Sequence, residues 1–233
     1  EPLEIIERRA EELGADVFVC GEDFSSQIFF PSGGGQCVAF HSVVCREPEP
    51  FALALAGVHQ AENAALVIMA AKLLEREDVR VTEKAIRTAL RTVRHPARFE
   101  ILANEGVPVV IDGAHNPAGM RALRTGLDTY FPDLPRVFLL GILKDKDIDT
   151  MLAALLRPGD QVVTVRPNSE RAAAADVVAA VAAGMGLVTV ACDDRAKGLD
   201  EAVRRAHVRS ALLVVAGSLY LVGDIRAMLT AGR

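Results

Sequence analysis

Apolar and polar positions along the chain follow two regimes. Up to about residue 95 the spacing changes from segment to segment. Leu3, Ile6, Ala10 and Leu13 recur at helical intervals, so residues 2–13 predict an amphipathic helix that Gly14 stops. Val17–Cys20 is a short apolar run that predicts a strand. Gln27–Phe30 and Cys37–Val44 predict the arms of a hairpin, with Pro31-Ser32-Gly33-Gly34-Gly35 as the turn. Gly57–Leu74, rich in Ala and Leu, predicts a long helix, and Thr82–Thr92 a second one with Thr82 as its N-cap. Pro96 then biases the chain away from helix. The pattern changes there, which sets a domain boundary: residues 1–95 and residues 96–233.

Beyond the boundary strands and helices alternate. Strand-like runs are Phe99–Ala103, Val107–Ile111, Arg136–Leu140, Gln161–Val165, Leu187–Ala191 and Ala211–Val215. Helix-like runs are Pro117–Tyr130, Ile148–Leu156, Arg171–Ala183, Ala196–Ala206 and Leu219–Leu229. The order ββαβαβαβαβα predicts an α/β domain with a mostly parallel six-stranded sheet. Several strands are apolar throughout, as expected where helices cover both faces.

Composition adds limits. Hydrophobic residues make up 51% of the 233, enough for a sizeable core, and the 24% charged is ordinary. A net charge of -5 argues against a nucleic-acid or anionic-membrane surface. No apolar run has the length of a membrane span and no signal peptide is visible. The four cysteines (Cys20, Cys37, Cys45, Cys192) form no C-x-x-C pair, which suits free thiols in a reducing compartment and the cytoplasm as the default location. The chain opens at Glu1 inside a helix-like stretch and without Met, the expectation for a truncated piece.

In an open parallel sheet, ligands bind beyond the carboxyl ends of the strands. Three such loops carry polar residues. Asp112-Gly113-Ala114-His115-Asn116-Pro117 follows a strand and opens a helix, with Asn116 at the N-cap and Pro117 at the first helical position. That leaves Asp112 and His115 without an evident structural duty. Asp112 is expected to face solvent, where it can accept from hydroxyls, so its loss is expected to leave the fold unaffected. His115 can hold a proton or contact a carboxylate. Gly141-Ile142-Leu143-Lys144-Asp145-Lys146-Asp147 offers two lysines to an anion, and a solvated loop explains them equally well. Gly217-Ser218-Leu219-Tyr220 places Ser218 at a helix start, where capping alone also accounts for it. Earlier in the chain, His59, Gln60 and Asn63 open an Ala-rich helix as an exposed first turn, or as amides able to read an adenine edge. Arg98 lies at the domain junction, either as a linker residue or as a group that stabilises phosphoryl charge. No G-x-G-x-x-G follows a strand, no G-x-x-x-x-G-K-[ST] occurs, and no metal-ligand cluster is visible.

Taken in order, Gly57-Val58-His59-Gln60…Asn63-Ala64, Arg98-Phe99-Glu100, Asp112–Pro117, Gly141…Asp145-Lys146-Asp147 and Gly217-Ser218-Leu219-Tyr220-Leu221-Val222-Gly223 resemble the folylpolyglutamate synthase/dihydrofolate synthase family of the Mur ligase superfamily, over essentially the whole chain. The resemblance implies the C-terminal portion: the tail of the ATP-binding domain, lacking its P-loop, followed by a Rossmann-like Mur ligase C-terminal domain. It implies a ligase of folate and one-carbon metabolism that uses ATP and Mg²⁺. L-glutamate is joined to a folate or dihydropteroate carboxylate through an acyl phosphate. By the same resemblance Asn63 contacts adenine, Arg98 the ATP phosphates and Asp112 the ribose. His115 is the catalytic residue near the incoming glutamate, with Ser218 and Tyr220 as weaker members of that pocket. The metal ligands belong to the missing half, so this fragment is expected to be inactive alone and able to self-associate through an exposed apolar face. Two rivals stand beside it: another Mur-type amide ligase, and a non-catalytic Rossmann-like binding module.

Overall fold

The computed structural model describes residues 2–30, 35–76 and 81–231. The chain divides into two compact units, Glu1–Ala54 with His59–Val93, and Leu55–Val58 with Arg94–Arg233.

The first unit opens with helix α1 (Pro2–Leu13), which buries none of its residues. Val17–Cys20 is not a strand. Its backbone is committed to a turn in which Asp23 Oδ2 accepts from Val19 N, and only an isolated bridge joins Cys20 to Phe24. Strands β1 (Phe24–Phe29) and β2 (Gln36–Ser42) pair antiparallel as predicted, and the turn residues 31–34 lie outside the described residues. A third strand, β3 (Cys45–Leu53), has no counterpart in the hydrophobic pattern because Pro48 and Pro50 interrupt it. It lies at the edge of the sheet, where a residue without an N–H is tolerated. Helix α2 (Val58–Arg76) and helix α3 (Glu83–Thr92) follow, and Thr82 caps α3 by accepting from Ala85 N. Phe40, Phe51, Ala65, Ile68 and Leu90 form the buried centre of this unit.

The second unit is the predicted α/β domain. Strands β4 (Glu100–Asn104), β5 (Val107–Ile111), β6 (Arg136–Leu140), β7 (Gln161–Val165), β8 (Val188–Cys192) and β9 (Leu212–Ala216) form one sheet in the order β4-β5-β9-β6-β7-β8. Only β4 runs antiparallel. Helices α4 (Pro117–Tyr130), α5 (Ile148–Leu155) and α6 (Ala175–Gly184) cover one face, and α7 (Arg195–Val208) and α8 (Leu219–Thr230) the other. Central β9 shows why its pattern is unbroken: Leu212, Val214 and Ala216 enter one core while Leu213 and Val215 enter the other. Helix α6 starts later than the apolar spacing predicts. Residues 171–173 are used instead in a bridge to the neighbouring loop, where Lys144 N donates to Arg171 O and Ala173 N to Ile142 O.

Candidate active site

Four segments meet at the carboxyl edge of β5, β9 and β6 in the second unit. Asp112 N donates to Val215 O, Gly113 N to Ala97 O, Gly217 N to Ala114 O and Gly141 N to Ala216 O. Gly217 has φ 111, and a Cβ there would stand 2.7 Å from Gly141 O, so only glycine permits this approach.

Asp112 does not face solvent. It is 6% exposed, and its carboxylate accepts from Phe99 N at 2.8 Å and from Ala114 N at 2.8 Å. Both bonds are charge-assisted. The residue ties the 112–117 loop to the turn before β4, which corrects the expectation of a side chain free of structural duty.

That turn is strained. Ala97 (φ 62) and Phe99 (φ 45) both adopt the left-handed region. Buried partners hold them there. The Phe99 ring is 1% exposed, lies 5.2 Å from Tyr130 and fills the space over Gly126, where a Cβ would come within 2.5 Å of it. Ala97 N donates to Glu100 Oε2, and Glu100 accepts two further bonds from Arg226 of α8. The hydrogen bond from Arg226 holds the Glu100 carboxyl below the usual glutamate range. Arg98 sits between the two left-handed residues, exposed, and among the described residues its guanidinium has no partner.

His115 is half-buried, with Nδ1 2.8 Å from Gly113 O. A carbonyl only accepts, so Nδ1 carries the proton, which leaves Nε2 as the nitrogen able to exchange one. Asn116 caps α4 through Gly119 N as predicted. Ser218 is 1% exposed and its hydroxyl accepts from Leu221 N, so its oxygen serves the cap of α8. Tyr220 is 51% exposed in the first turn of that helix. In the 141–147 loop, Asp145 pairs with Arg171 and Lys146, which leaves Lys144 exposed and without a partner among the described residues.

Asn63 belongs to the first unit and lies exposed on α2. Its Nδ2 donates to Gln60 Oε1, and Gln60 Nε2 donates to His59 Nε2. The Asn63 oxygen is therefore the amide atom left to accept. Arg98, Asp112, His115 and Ser218 share one edge of the second unit. Sequence reasoning gave no duty to Glu100 or Arg226, and no local signal joins two residues 126 positions apart. Among the described residues no group of His, Cys, Asp and Glu suits a metal ion, and no helix is long and apolar enough to cross a membrane.

The Mur ligase glutamate ligase domain matches residues 97–219. The chain belongs to the Mur ligase family. Relatives named as folylpolyglutamate or dihydrofolate synthases match it. A probable bifunctional folylpolyglutamate synthase/dihydropteroate synthase of Halobacterium salinarum is 39% identical over 182 residues, covering 76% of this chain and 21% of the relative. The dihydrofolate synthase/folylpolyglutamate synthase of Bacillus subtilis is 27% identical over 98% of this chain and 52% of its own length. A Mycobacterium tuberculosis folylpolyglutamate synthase, solved with ADP and AMPPCP, superposes with a TM-score of 0.83 at 27% identity, over 99% of this chain and 53% of that one. The chain is similar to these folylpolyglutamate and dihydrofolate synthases. It spans about a fifth of the first relative and about half of the other two.

Proposed function

We propose that this chain is the C-terminal portion of an ATP-dependent ligase that joins L-glutamate to the carboxylate of a folate or of dihydropteroate. The observation that carries the reading is Arg98, whose exposed guanidinium has no partner among the described residues and stands on the same sheet edge as His115, in a turn flanked by two left-handed residues. An arginine of this kind stabilises charge on a transferring phosphoryl group.

The chemistry runs in two steps. The substrate carboxylate attacks the γ-phosphorus of ATP, and ADP leaves as the acyl phosphate forms. The amine of glutamate then attacks the acyl carbon, inorganic phosphate departs, and the amine proton must be removed. His115 supplies the base, since its Nδ1–H is fixed on Gly113 O and its Nε2 is open to a proton. Asn63 presents its oxygen to the adenine amino group. Asp112 serves the ribose side, its carboxylate also holding the turn that carries Arg98. Tyr220 and Ser218 flank the amino-acid side, Tyr220 with a free hydroxyl. By this reading the Mg²⁺ ligands belong to the other half of the ligase; among the described residues no group of His, Cys, Asp and Glu suits a metal ion. The work of such an enzyme is cytoplasmic. Self-association of the isolated chain would proceed through the apolar side of α1 and α2.

The test is glutamate incorporation into dihydropteroate and into folate by the full-length parent, with Arg98→Ala and His115→Ala beside it. Arg98→Ala is expected to raise the KM for ATP, and His115→Ala to impair glutamate use more than ATP use. ATP-dependent glutamate addition by the 233-residue chain alone, or unchanged kinetics in both variants, would overturn the reading.

A further inference from the structure

The Arg98 turn is held from two sides. On one, Asp112 accepts from Phe99 N at 2.8 Å. On the other, Glu100 Oε2 accepts from Ala97 N at 2.9 Å. A carboxylate on an edge strand can rotate away from such a contact unless something fixes it. Arg226, two turns into α8, does so with both arms of its fork: Nε donates to Oε2 at 2.7 Å and Nη2 to Oε1 at 2.9 Å. The Glu100 side chain is only 20% exposed and that of Arg226 33%, so the pair is partly shielded from water. Helix α8 is in turn fastened to the sheet by Leu221, Val222 and Ile225, all fully buried. A rigid helix therefore reaches, through one bidentate pair, the first of two left-handed residues that flank Arg98.

We infer that Arg226, acting through Glu100, is a positioning residue for the Arg98 guanidinium, setting the direction in which it meets a phosphate-bearing ligand. The inference rests on the reading of Arg98 as a phosphate contact. It goes beyond that reading because it gives a nucleotide-side duty to a residue on the last helix, where an ordinary surface ion pair would have none. The physical reason is orientational. An arginine side chain has many rotamers, and each degree of freedom removed from its backbone before binding is one that the ligand need not remove.

The geometry also separates positioning from plain stabilisation. Exchanging the pair to Glu100→Arg with Arg226→Glu restores the ion pair, but an arginine at 100 has no acceptor for Ala97 N–H. The ion pair between strand and helix is restored by the exchange. The positioning role is not.

The experiment measures KM for ATP, KM for glutamate, kcat and melting temperature in the full-length ligase. Arg226→Met should raise the KM for ATP about tenfold, the worth of one charge-assisted hydrogen bond, with the KM for glutamate little changed. Arg226→Lys, which keeps the charge on a single nitrogen and loses the fork, should raise the KM for ATP about threefold and carries the test if the methionine variant does not fold. The exchanged pair should regain the part of the melting temperature that the ion pair supplies without regaining the KM for ATP. An unchanged KM for ATP in Arg226→Met, or its full recovery in the exchanged pair, would overturn the inference. Arg98→Ala separates the two levels. If it leaves the KM for ATP unchanged, the phosphate reading fails and the inference falls with it. If it raises that KM while Arg226→Met does not, the inference alone fails.

Discussion

The two units treat their apolar residues differently. In the second, helices close both faces of the sheet, and β6 and β9 are buried along their whole lengths. In the first, α1 buries no residue, and Ile5, Ile6, Leu13, Leu66, Val67 and Leu74 are exposed along α1 and α2. The difference teaches where site geometry can be intrinsic. The carboxyl-edge loops rest on a core complete within their own unit, so their backbone bonds are fixed by that unit. Side chains on α2, Asn63 among them, stand on an element that exposes apolar as well as polar positions.

Substitutions in the two units test this contrast. The largest effect is expected from Phe99→Ala, at about 3–5 kcal/mol in chemical denaturation, because it opens a cavity over Gly126 and frees the strained turn. A loss below 1 kcal/mol would show that the turn is not locked by the core. Asp112→Ala should follow at about 2–4 kcal/mol, since two buried N–H groups lose their acceptor. This opposes the expectation from sequence that its loss leaves the fold unaffected, and a melting temperature equal to the parent would restore that expectation.

Glu100→Gln should cost about 1 kcal/mol near neutral pH, discounted because the pair is partly exposed. Its pH dependence has a definite sign. The folded carboxyl titrates below the ordinary value of 4.5, so its stabilisation is present above that value and is lost as pH falls through the lowered one. Melting curves should therefore show the gap between parent and variant closing as pH falls below 4.5. A gap that widens on acidification contradicts the assignment. Smallest of all, Ile6→Ser on α1 should change stability by less than about 0.5 kcal/mol, as at other uncovered positions. A large loss there would mean that α1 is covered after all.

Much of the second unit was legible in its sequence. The strands Val107–Ile111, Arg136–Leu140 and Gln161–Val165 are apolar because both faces are covered, and helix α4 is bounded by Asn116 and Pro117, whose capping chemistry is local. What depended on distant partners was not legible. Strand β3 hides behind Pro48 and Pro50, and its place at a sheet edge is a tertiary fact. Asp112 looked free because its acceptors' partners, Phe99 N and Ala114 N, are backbone groups that no side-chain pattern announces. Arg226 carried no signal, since its partner lies 126 residues earlier. His115 was visible as an odd residue at a strand end and Arg98 as an arginine at the domain junction, but the strain around Arg98 was not.

The central claim is that the Arg98 turn and the Asp112–Pro117 loop form one rigid frame built by the second unit alone. Residue-resolved amide hydrogen exchange on the 233-residue chain tests it most directly. The amides of Phe99, Gly113, Ala114 and Gly217 should exchange only through opening of the whole second unit, as slowly as those of β9, while the amides of α1 exchange orders of magnitude faster. Fast exchange at Phe99 and Ala114 alongside a protected β9 would contradict the claim.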